Sequence, residues 1–167
     1  MFYKTALALF LIVVVTGCTQ DTPDTNRNEP PIIIQQDHSI ITLVQTDQSE
    51  LLNLDYQLTN PSGHTTGPFY TEFIFHHDEL AKHLDEHIYS IYERIGMSTT
   101  LLPDESYRGG VTLEIPSTNK MKADELKAII EDQKAIEIRL IHAENGQLIA
   151  QGWMHIFEVT KENWPRQ

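Results

Sequence analysis

Leu51-Leu52-Asn53-Leu54-Asp55-Tyr56-Gln57-Leu58-Thr59-Asn60 alternates apolar and polar side chains over most of its length. Leu52, Leu54, Tyr56 and Leu58 fall on one side, and Asn53, Asp55 and Gln57 on the other. Successive side chains of a strand point to opposite faces, whereas a helix repeats about every 3.6 residues, so this period of two marks a strand with one buried face. Asn60-Pro61-Ser62-Gly63 then ends it with turn chemistry.

The same period extends outward from this stretch. It returns in Phe69, Thr71, Phe73 and Phe75, in Val111, Leu113 and Ile115, and in Ile136, Ile138 and Leu140. Ile40 to Val44, preceded by Ile32 to Ile34, supplies a first strand. Asn145-Gly146 favours the positive φ angles of a tight hairpin turn, which leads into a partner strand from Leu148 to about Phe157. In that last strand Trp153 and Phe157 alternate with Met154 and Ile156, as in a central strand buried on both faces. Gly109-Gly110, entering the strand that contains Val111, reads as a bulge or bend.

Two helical patterns interrupt the strands. From Asp78, a good N-cap, Leu80, Leu84, Ile88, Ile91 and Ile95 recur at helical spacing up to Gly96, a natural terminator. A shorter amphipathic segment, Ala123 to Asp132, carries Leu126, Ile129 and Ile130. The expected fold is therefore mainly β: an immunoglobulin-like β-sandwich of about seven strands with two helical insertions. A long helix after Asp78 also admits an α+β fold with the helices packed on one antiparallel sheet. Residues 32–160 suit one globular domain, followed by a tail at 161–167.

Leu102-Pro103-Asp104-Glu105-Ser106-Tyr107-Arg108-Gly109-Gly110-Val111-Thr112-Leu113-Glu114-Ile115-Pro116 resembles the L-P-G-E-x-x-x-G-x-V-x-F-x-V-P stretch of telokin-like, immunoglobulin-like domains of Gram-positive lipoproteins. Tyr56-Gln57-Leu58-Thr59-Asn60 is similar to their early strand. The resemblance implies a sandwich and carries no catalytic residue. Asp104 stands where that pattern has glycine.

The chain begins Met-Phe-Tyr-Lys4, and an apolar run from Ala6 to Val15 then leads to Thr16, Gly17 and Cys18. This is the order of a secretory signal, and the run has about half of the roughly 20 apolar residues that a spanning helix needs. Val15-Thr16-Gly17-Cys18 resembles the lipobox of bacterial lipoprotein precursors. The resemblance implies cleavage of residues 1–17 between Gly17 and Cys18, and diacylglycerol and palmitate chains on Cys18. Cys18 is the sole cysteine, so an exported chain has no disulfide to form with it. Thr19 to Pro31 holds three prolines and no aliphatic or aromatic residue, and it reads as a disordered tether, 18–31 together with the lipidated cysteine. The expected location is extracytoplasmic, anchored to the cell membrane, or to the outer membrane in a diderm envelope.

The chain carries 12 Lys plus Arg against 24 Asp plus Glu. Nucleic acid is disfavoured as a partner, because a phosphate backbone is bound through clustered cations. Four of the eight histidines, His76, His77, His83 and His87, lie within twelve residues. On a continuous helix His83 and His87 would stand one turn apart and both reach one zinc or copper ion, with His77 as a further ligand. Against that, no HExxH, CxxC or third ligand at a standard spacing accompanies them. No G-x-S-x-G elbow and no glycine-rich phosphate loop occurs. The expectation is a non-enzymatic binding domain without a cofactor, attached to the membrane and recognising an unidentified protein or envelope component. A metal-binding lipoprotein is the alternative.

Overall fold

A computed structural model describes residues 32–46, 49–116, 121–131 and 134–161. The expected signal peptide, Gly17, Cys18 and the tether lie outside these residues, as does the tail beyond Lys161. Two sheets face each other. The first contains β1 (Ile33–Ile34), β2 (Ile40–Gln45), β3 (Glu50–Thr59), β6 (Ser106–Ile115) and β9 (Ile156–Lys161). The second runs β5 (Ile88–Ser90), β4 (Phe69–Phe75), β7 (Ile136–His142) and β8 (Leu148–Met154).

β3 organises the first sheet. All ten of its residues pair antiparallel with β6, from Glu50 opposite Ile115 to Thr59 opposite Ser106. Its other edge is shared by β1 and β2, which flank the 3-10 turn Gln36–His38. β2 in turn pairs in parallel with β9. Lettered in chain order, β1/β2, β3 and β6 are strands A, B and E, and β4, β7 and β8 are C, F and G. This is the immunoglobulin distribution between two sheets, with β5 as an added C′, β9 as a further strand parallel to β2 in the first sheet, and no strand D among the described residues.

The expected inner faces are where the core lies. Leu52, Leu54, Tyr56 and Leu58 oppose Phe69, Phe73, Phe75, Ile136, Ile138 and Leu140, all buried. The helix α3 (Ala123–Glu131) adds Leu126 and Ile130 to that core.

Four expectations are corrected. The pattern after Asp78 is not one helix: α1 (Asp78–Leu84) ends at Asp85, which takes the left-handed conformation at φ 55°, and α2 (Ile91–Ile95) starts afresh from Ser90. Ile88 to Ser90 between them pairs with Ile74 to Glu72 as β5. A strand there satisfies backbone groups on the edge of β4 that a helix would leave to water. Gly109-Gly110 makes no bulge, since the β3–β6 register runs through it unbroken. The segment Leu148 to Phe157 is two strands, divided at His155, and β8 and β9 lie in different sheets. Trp153 therefore lies half-exposed on the outer face of the second sheet, not in a central strand buried on both sides. The hairpin turn is as expected, with Gly146 at φ 69°.

Candidate functional site

A concavity that joins exposed apolar side chains to the core opens between β6 and α2. It is a cleft of about 210 Å³ lined by Tyr70, Ile91, Ile95, Met97, Tyr107 and Val111, with Tyr56 beneath them. Tyr56 reaches this place because its strand partner is Gly109: a Cβ there would collide with Tyr56 Cζ and Oη. The Thr71 hydroxyl donates to Tyr56 Oη at 3.0 Å, and Phe73 meets the ring edge-on at 5.8 Å between centroids. Burial pushes the Tyr56 phenol up to about 12, so it is protonated at neutral pH. Around the mouth, Ile95 is 62% and Met97 59% exposed, and Tyr92 stacks on Tyr70 at 5.1 Å. The cleft thus offers aliphatic and aromatic surface with a neutral polar floor, which suits apolar side chains.

The loop behind the cleft is pinned by Asn60, which is fully buried. Its Nδ2 donates to the carbonyl oxygens of His64 at 2.8 Å and Leu102 at 2.9 Å, while its Oδ1 accepts from Ser62 N at 3.0 Å. Glu105 Oε2 accepts from Leu102 N at 2.7 Å, closing the turn in which Asp104 adopts φ 57°. Glycine takes that angle freely, which accounts for the glycine of the resembling pattern at this place.

The histidines that the sequence brings together are separated by the fold. His83 is on α1 and buried, whereas His87 lies beyond the left-handed Asp85 and is exposed, so the one-turn stacking of the two does not exist. His77 is the N-cap of α1. Among the described residues no group of three or more His, Cys, Asp or Glu side chains is arranged to hold a metal ion. Burial lowers the His83 imidazole below its ordinary value, opposed in part by the Glu50 carboxylate. His83 Nε2 and Glu50 Oε2 are both buried without a hydrogen-bond partner, although Glu50 Oε1 accepts from Gln45 Nε2 at 3.0 Å. Arg94 pairs with Glu86 at 2.7 Å and lies over the Tyr89 ring.

A charged cluster that sequence reasoning missed sits on the outer face of the second sheet. The Glu137 carboxylate, only 5% exposed, accepts from Arg139 Nε and Nη2, both at 2.9 Å, and meets His76 Nε2 at 2.7 Å. Burial alone would raise its pKa, but the Arg139 and His76 bonds outweigh it and hold the carboxyl below its ordinary value. Trp153 covers His76 at 5.2 Å between ring centroids. Glu137 and Arg139 alternate with isoleucines, so the sequence marks them as outward-facing. It carries no signal that a tryptophan from the next strand shields them.

No family model matches the chain, and no curated protein matches it in sequence. Among solved structures, a Pseudomonas fluorescens alkylpurine DNA glycosylase, AlkC, bound to DNA containing an abasic site analog superposes with a TM-score of 0.39 and 11% identity over 76% of this chain. This chain spans only 30% of that protein. A domain of the outer membrane lipoprotein Omp28 from Porphyromonas gingivalis gives 0.42 and 11%, covering 78% of this chain and 91% of that one. The ligand binding region of serine-glutamate repeat protein A (SgrA) of Enterococcus faecium gives 0.37 and 8%, covering 77% and 97%. Similarities this low carry no argument about activity or partner.

Proposed function

We propose that the chain is a lipid-anchored, extracytoplasmic and non-enzymatic binding domain. The observation that carries this reading is the sequence Val15-Thr16-Gly17-Cys18, placed between an apolar leader and a proline-containing polar tether. No helix among the described residues is long and apolar enough to cross a membrane, so the lipid on Cys18 is the attachment this reading supplies. Two or more acyl chains anchor stably where one does not. The cleft beside β6 supports the binding half of the reading, because its lining is mostly apolar and the deep Tyr56 phenol stays protonated.

Fractionation of cells fed a labelled fatty acid tests it. The wild-type chain is expected in the membrane fraction and labelled. Cys18→Ala is expected to be unlabelled and absent from membranes, with an unchanged urea midpoint. Membrane retention of that variant, or an unlabelled wild type, would overturn the reading.

A further inference from the structure

Among the described residues β6 is the longest edge strand. One side of it is fully paired with β3, and among the described residues no strand and no backbone hydrogen bond engages the other side. Exposed edges are ordinarily guarded by proline, by a bulge or by an inward-pointing charge, because their free N–H and C=O groups template pairing with another chain. Between Ser106 and Ile115 β6 has no proline, bulge or inward-pointing charge, although α1 lies against part of the strand. Its inward positions are Tyr107, Gly109, Val111, Leu113 and Ile115, and its register is regular. Its outward positions carry one cation and one anion, Arg108 and Glu114, both exposed.

We propose that β6 pairs antiparallel with β6 of a second copy of this chain, about a two-fold axis through Val111. The charges select this register. A shift by one residue would set inward side chains against outward ones, so only registers centred on a residue keep the apolar faces together. Centring on Val111 puts Arg108 of each copy opposite Glu114 of the other, twice over, with Gly109 opposite Leu113 and Tyr107 opposite Ile115. Centring on Gly110 sets Arg108 against Thr112, and centring on Thr112 sets it against Pro116, so both leave the charges unmatched. The two clefts then flank the axis on the same side of the joined sheets, and the exposed Ile95 and Met97 of both copies border it. The interface is isologous and closes on itself. It rests on the reading of this domain as a binding module only in using the same edge, and it needs no anchor.

Val111→Cys tests it in intact cells under mild oxidation. With Cys18 lipidated the new thiol is the only free one, and the substitution is nearly isosteric. A disulfide-linked dimer is expected from Val111→Cys and not from Leu148→Cys on the edge strand β8. Adding Arg108→Glu sets like charges opposite each other in both pairs and should lower the yield about tenfold or more. Adding Glu114→Arg to that variant should restore it. Equal crosslinking at the two cysteine positions, indifference to Arg108→Glu, or no rescue by the double reversal would overturn the proposal. Fractionation of the same cells reads the anchor separately, so a dimer that has left the membrane fails the earlier reading alone.

Discussion

Two side chains decide how the interior is filled beneath the cleft, and one of them is a missing one. Gly109 lies opposite Tyr56, and a Cβ there would press on that ring and come within 2.8 Å of Tyr107 Cε1. Tyr56 is buried and held by Thr71 and Phe73, so its ring cannot yield without repacking. Gly109→Ala is expected to destabilise the domain by about 1–3 kcal/mol, the usual range for overpacking, read as a lower urea midpoint at unchanged m-value. His83 makes a prediction of another kind. Its buried imidazole has a lowered pKa, so the unfolded chain binds a proton that the folded chain refuses. The stability this contributes is complete above the unfolded value of about 6.5 and is lost as the pH falls below it. The urea midpoint should therefore climb between pH 5 and 7.5, and His83→Leu should climb less steeply. An identical slope in the variant would remove His83 as the source.

At the scale of elements, the segment from Asp78 to Gly96 shows how two structures can share one pattern. Spacings of four and three suit a helix, yet Ile88 is 54% and Ile95 62% exposed, so the supposed stripe is not a buried face. What breaks it is Asp85, whose backbone amide bonds back to Lys82 while its own φ turns positive. Such a residue costs roughly 1–2 kcal/mol when it bears a Cβ, less for aspartate, and glycine removes the cost. Asp85→Gly should be neutral or stabilise by up to about 1 kcal/mol in thermal unfolding, whereas Asp85→Val should destabilise by about 1–2 kcal/mol. The period-two strands were legible because one face of each is buried and the other is wet. Trp153 and Phe157 were misread because a strand that changes sheets at His155 looks, residue by residue, like one strand apolar on both sides.

In the whole molecule, the sandwich could be read from inner-face alternation, but the cleft could not. Its walls come from β3, β4, α2 and β6, which only the topology brings together. The histidine cluster was the reverse case, four residues near in sequence that the fold disperses: His76 meets Glu137, His77 caps α1, His83 is buried on it, and the left-handed Asp85 sets His87 apart. The excess of acidic residues was legible because it needs no fold. One more property follows from the first sheet. β2, the first long strand of the chain, is gripped on one side by β3 and on the other by β9, six register pairs each. Under the proposed attachment, a pull through residue 32 would reach β2 after the two pairs of β1 and would load both of its ladders in shear instead of peeling them one bond at a time. Held that way, the body could unravel past β1 only by breaking the dozen pairings of β2 together.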